Sequence, residues 1–140
     1  DSTQRMTKAD LAAGAKLIIR ERLLTHGDQH AESGFVVNLN GEDSSANVIS
    51  RSVAKNNSTQ VFNAEINGNA KCAGHSECDA IIMDHAKISA IPKIVANDID
   101  AALIHEAAIG KIAGEQLIKL MTLGLTEQEA EAQIVNGFLK

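Results

Sequence analysis

Both cysteines of the chain fall in one stretch, CAGHSECDAIIMD, which runs from Cys72 to Asp84 with His75 between them and Glu77 and Asp79 beside Cys78. Thiolate, imidazole and carboxylate are the side chains that ligate transition metals. A closed zinc site asks for four ligands, usually as two close pairs. Here Cys72, His75 and Cys78 stand three apart, with no Cys-x-x-Cys pair. In an extended segment residues three apart face opposite ways, so His75 and Cys78 would not converge. A disulfide between Cys72 and Cys78 is disfavoured in a reducing cytosol. The alternative is that one or both cysteines are small buried hydrophobes.

A second stretch, ALIHEAAIG from Ala102 to Gly110, places His105 beside Glu106. One reading is a His–Glu pair at a strand end, satisfied by backbone and solvent. The other is a contribution to a metal site shared with Cys78, brought near on a neighbouring turn of chain. A metal-dependent hydrolase using Cys78, His105 and Glu106 is the enzyme that this set would make. His26 and His30 in THGDQHAE, and His85 in DHAK, read as solvated loop histidines. No phosphate-binding glycine loop, zinc-protease, serine-hydrolase or EF-hand pattern occurs.

These residues need a frame. At 140 residues the chain fits one ordinary domain able to bury a core. It is 44% hydrophobic but only 2% aromatic, so the core must be aliphatic. Without Trp or Tyr it lacks the stacking platforms of single-strand nucleic-acid modules. A net charge of −5 with no basic cluster gives no attraction to nucleic acid or anionic membrane. No apolar run approaches the roughly 20 residues needed to span a bilayer. The polar start does not read as a signal peptide, and two cysteines do not make a disulfide framework. The expected location is the cytosol, with both thiols reduced. Beginning at Asp1, the chain reads as a piece of something longer or a short paralogue.

Short β-prone runs recur up to about residue 112: KLIIR, GFVVNLN, ANVISRSVA, TQVFNAEIN, DAIIMD, KISAI and KIVAN, separated by Gly, Asn, Asp and Ser. In TQVFNAEIN, Phe62, Ala64 and Ile66 alternate with Asn63, Glu65 and Asn67, so the two sets take opposite faces. Many short strands without intervening helices make an all-β unit. Val36, Val61 and Ile82 lie about 21 to 25 residues apart, which suggests a solenoid of stacked coils with that period. A β-sandwich is the other candidate, but usually carries more aromatics. The stretch KADLAAGAKLIIRERLL is ambiguous between helix and strand.

After residue 112 the pattern turns helical. Leu117, Ile118, Leu120 and Met121 recur at helical spacing, and Gly124 stands where a C-terminal cap belongs. Thr126 with Glu129 three residues on is a capping box, and Ala130, Ile134, Val135 and Phe138 form an apolar stripe. The expected organisation is residues 1–112 as the β unit and 113–140 as a helical hairpin, in one continuous body.

Three segments carry a resemblance: CDAIIMD (78–84), IPKIVAND (91–98) and IHEAAIGKIAGEQLIKLMTLGLTEQEAEAQIVNGFLK (104–140). The order His105-Glu106-Ala107, Gln116-Leu117, Gly124 and Ile134-Val135-Asn136-Gly137-Phe138 resembles the C-terminal part of SufB/SufD, the scaffold subunits of the Suf iron–sulfur cluster assembly system. The resemblance covers roughly residues 34 to 140 and favours strands for KLIIRERLL. It implies a mainly β fold, a right-handed parallel β-helix followed by a C-terminal helical hairpin. It also implies a non-enzymatic scaffold that pairs with itself or a SufB/SufD-type subunit and docks a SufC-type ABC ATPase, with no nucleic acid or membrane partner. The ATPase surface would include Gln116, Leu117, Leu120, Gly124, Ile134 and Phe138. The nascent iron–sulfur cluster, or transient iron, would sit at the dimer interface on Cys78, His105 and Glu106. Two departures stand out. Family members are longer, and Ile104 occupies a position that is acidic in the SufB-type pattern.

Overall fold

A computed structural model describes all of residues 1–140. Eight strands precede two helices. The strands are β1 (Ser2–Leu11), β2 (Lys16–Thr25), β3 (His30–Leu39), β4 (Ser44–Ala54), β5 (Thr59–Gly68), β6 (Cys72–Ile82), β7 (Lys87–Ala96) and β8 (Ala101–Gly110). Odd strands build one parallel sheet in the order β1-β3-β5-β7, and even strands a second in the order β2-β4-β6-β8. Each coil therefore contributes one strand to each sheet, and about four coils stack into a β-solenoid.

The true period is longer than the spacing of apolar centres suggests. Ser2 pairs with His30, His30 with Thr59 and Thr59 with Lys87, a step of 28 or 29 residues. Val36 and Val61 turn out to be half-buried on the outer face, opposite Glu65 and Glu32 respectively, while Ile82 belongs to the other sheet. Their spacing mixed faces and sheets, so it measured no repeat.

The expected alternation in β5 holds: Phe62, Ala64 and Ile66 are buried and Asn63, Glu65 and Asn67 are half-buried. The same alternation in β3, β4 and β6 gives an aliphatic core around Val37, Leu39, Val48 and Ile66, with one aromatic pair, Phe35 and Phe62, at 5.8 Å. The strand from Lys16 continues to Thr25, and β1 was not expected from its polar sequence. KISAI and KIVAN are one strand, β7, continuous through Pro92. Proline is tolerated there because β7 is an edge strand.

The corners explain why turn formers recur. Gly27, Asn56 and Asp84 hold the same left-handed backbone at the same corner of successive coils, with φ of 58°, 59° and 57°. Gly, Asn and Asp are the residues that enter this region at least cost. Another corner carries a stacked amide ladder, in which Asn97 donates to Asn69 and Asn69 to Asn40, both at 2.7 Å.

β8 ends at Gly110, and α1 (Gly114–Thr122) and α2 (Glu127–Phe138) follow. Thr126 and Glu129 form the reciprocal capping box. Gly124, at φ 97°, closes α1: its N–H donates to Met121 and that of Leu125 to Leu120, the paired bonds of a Schellman end. Ala130 and Val135 of α2 are buried, and the Phe138 ring lies 6.0 Å from the Arg51 guanidinium on the outer face of β4.

Candidate functional site

Strands β6 and β8 are neighbours, with Cys78 opposite Ala107, Ser76 opposite His105 and Glu77 opposite Glu106. The stretches CAGHSECDAIIMD and ALIHEAAIG thus meet on adjacent coils. His105 and Glu106 stand in the middle of a strand, not at its end.

The pleat divides the chemistry between two faces. Cys72, Gly74, Ser76, Cys78 and Ala80 are buried and point into the solenoid; His75, Glu77 and Asp79 point out. In β8, His105 shares the inner side with its partner Ser76, while Glu106 lies outside with Glu77. Cys78 and His105 are therefore diagonal neighbours inside, and Glu106 is on the opposite face of the same sheet.

The inner site is incompletely bonded. Cys78 is 1% exposed, and both cysteines are free. Six strand positions separate them, about 20 Å of chain, so no disulfide can close. Burial, followed by the charges of Asp79 and Glu21, pushes the Cys78 thiol up to about 11. Cys72 is also raised, chiefly by burial, and packs in the core. Burial, with His75 adding to it, lowers His105, which favours the neutral imidazole. Its Nδ1 and the Ser76 hydroxyl are both buried with no hydrogen-bond partner. Two unpartnered polar atoms beside a thiol give this face hydrogen-bonding capacity that the strands themselves do not use.

Deeper in the same column lies Glu21, aligned with Ser50 and then Cys78. This buried carboxylate accepts from Arg5 at 2.7 Å, Ser33 at 2.6 Å and Ser50 at 3.1 Å. Sequence reasoning missed it, because its partners come from three other strands.

Outside, His75 is held at both ring nitrogens. Nδ1 meets Asn47 Oδ1 at 2.9 Å, and Nε2 meets Glu106 Oε2 at 2.9 Å. Glu77 completes a group whose ligand atoms all lie within 4.8 Å of one another. Interaction with Asp79, then burial, raises the Glu77 carboxyl above its usual range. The i, i+2 spacing of His75 and Glu77 on a strand was the available signal for this outer group.

Among the remaining histidines, His26 and His85 lie exposed in turns. His30 opens β3 and bonds Thr59 at 2.6 Å, so it is a strand residue and not a loop one. In the hairpin Gln116 and Gly124 are exposed, whereas Leu117, Leu120, Ile134 and Phe138 are half-buried. Ile118, Met121 and Leu123 present apolar side chains to solvent. No helix is long and apolar enough to cross a membrane.

The sequence pattern described as "SUF system FeS cluster assembly, SufBD core domain" matches residues 3–138. The chain belongs to the SufBD family. An "Iron-sulfur cluster assembly SufBD family protein" of Methanothermobacter thermautotrophicus is 35% identical over 127 residues, 89% of this chain and 31% of that protein. One from Methanocaldococcus jannaschii is 41% identical over 105 residues, 74% of this chain and 33% of its own length. One from Mycobacterium bovis is 32% identical over 117 residues, 81% of this chain and 14% of that protein. The chain thus spans a third or less of these relatives. SufBD membership and the β-solenoid with two C-terminal helices accord with the resemblance read from the sequence.

Proposed function

We propose that this chain is a scaffold segment for iron–sulfur cluster assembly, with the cluster or its components as cargo. The observation that carries this reading is the inner site: Cys78 and His105 as diagonal neighbours on the inner face of β6 and β8, with His105 Nδ1 and Ser76 Oγ unpartnered. Thiolate and imidazole are ligands that iron in clusters accepts. The site lies beside the last coil, where no ninth strand covers β7 or β8. Glu106 sits at the same end on the outer face, so it would reach this cargo only through a rearrangement or from a second copy.

The raised thiol suits storage in the closed state. A protonated, buried Cys78 neither ligates nor oxidises readily. Opening the end coil would expose it and ease its ionisation. A SufC-type ABC ATPase docked on the hairpin is the partner proposed to drive that opening. The exposed Ile118, Met121 and Leu123 support a docking role for the hairpin. The single-chain hydrolase on Cys78, His105 and Glu106 gains no support, since these three do not converge on one face.

Two measurements test the proposal. Calorimetry with the cognate SufC-type ATPase should show micromolar or tighter binding that Ile118→Asp with Met121→Asp abolishes. Anaerobic reconstitution with iron and sulfide should give cluster absorption that Cys78→Ser and His105→Ala each diminish. Undiminished reconstitution in both variants would remove the inner site from the reading. Absence of ATPase binding would remove the partner.

A further inference from the structure

We infer that His75, Glu77 and Glu106 form a second site, on the outer face of β6 and β8, for a first-row divalent cation of the ferrous or zinc class. It stands on geometry independent of the scaffold reading. Three different positions on two adjacent coils converge here, with all ligand atoms within 4.8 Å. The donor set is one nitrogen and carboxylate oxygens with no sulfur. Such a set suits iron, zinc or cobalt as divalent ions.

The second observation is the way His75 is aimed. Asn47, one coil below, takes Nδ1 at 2.9 Å and leaves Nε2 directed at Glu106. Imidazole ligands are commonly oriented in this way, the far nitrogen being fixed by an oxygen that does not touch the metal. The 2.9 Å between Nε2 and Oε2 also fits. Two bonds of about 2.1 Å span about 3.0 Å at right angles and about 3.4 Å at the tetrahedral angle, so a cation can take the bridging position once the two atoms part by up to about 0.5 Å. Crowding supports the case. Glu77, Asp79 and Glu106 lie together on this face, and His75 is the one basic group of that cluster in contact with Glu106.

Access is open. A groove of about 370 Å³, lined by Ile18, Asn47, Gly74, His75 and Ile104, runs across the outer face up to the histidine. The site therefore lies back to back with the inner Cys78–His105 pair, through a single sheet.

Calorimetry with zinc, and cobalt(II) absorption under anaerobic conditions, test this on the chain. One cation per chain is expected, with a cobalt spectrum lacking the thiolate charge-transfer band. His75→Ala, Glu77→Gln and Glu106→Gln should each weaken binding about tenfold or more, and Asn47→Ala about tenfold as a positioning residue. Glu77→Gln and Glu106→Gln are near-isosteric changes outside the core, so they keep the test valid if His75→Ala misfolds. Glu42→Gln, an exposed carboxylate outside both sites, should bind as the parent does. The inference is overturned by the absence of stoichiometric binding, by a thiolate band that Cys78→Ser removes, or by unchanged affinity in the two Glu→Gln variants.

Discussion

At the scale of single residues, Cys78 joins burial to reactivity. The folded chain holds the thiol proton to about pH 11, whereas an unfolded thiol releases it near 8.5. A raised pKa means that the stabilising contribution is complete below the unfolded value and is lost as pH rises through the folded one. Denaturant unfolding should therefore show stability falling between about pH 9 and 11, by on the order of 3 kcal/mol for this group. Cys72 adds in the same direction. Cys78→Ala should flatten the decline, and an equal decline in that variant would contradict the assignment. Iodoacetamide should label native Cys78 slowly at pH 8. The same scale shows what the sequence could convey. That His75 and Cys78 would face apart was legible from their odd spacing. That His105 belongs with Cys78 and Glu106 with His75 was not, because it depends on a register of 29 residues that no local pattern reveals.

At the scale of elements, the strands from β3 to β8, the capping box and the glycine stop of α1 were legible, since each rests on neighbours within a few residues, whereas the polar β1 was not and β2 was ambiguous with a helix. The coil period was not, because apolar centres occur on outer faces as well. Close packing between coils makes two further changes costly. A Cβ on Gly74 would stand 2.8 Å from Leu103 and 3.0 Å from Ile66, so Gly74→Ala should cost about 1–3 kcal/mol by overpacking. The atoms met are side-chain ends, which can shift. On Gly41 the new carbon would meet the backbone of Ala12 and Ala13, so Gly41→Ala should cost more. Thermal unfolding of both variants orders the two effects, and the reverse order would show that the backbone of this corner yields. Thr126→Ala removes one arm of the capping box and should cost about 1 kcal/mol, seen as a small loss of melting temperature.

At the scale of the whole molecule, the solenoid ends unevenly. Of the eleven large hydrophobics that are exposed, Ile91, Ile94, Ile99, Ile104 and Ile109 lie in the last coil or its turn. The helices do not cover this end: Ala107 and Ile109, on the inner side of β8, are exposed. Its two edge strands differ. β7 carries Pro92 and Lys93, both unfavourable to adding another strand. β8, AALIHEAAIG, carries neither proline nor lysine. An edge of that kind invites pairing, and a second SufBD-type chain end would bury both the edge and the inner site. Light scattering should accordingly show a concentration-dependent dimer. Ala107→Lys, which places a charge at the open inner side, should shift it to monomer without changing far-ultraviolet circular dichroism. A parent chain that stays monomeric at high concentration, with no SufBD-type partner chain present, would limit end-to-end pairing to unlike chains. Equal dimerisation of parent and variant would move the interface away from β8, and the inner site would then open to solvent and not to a partner.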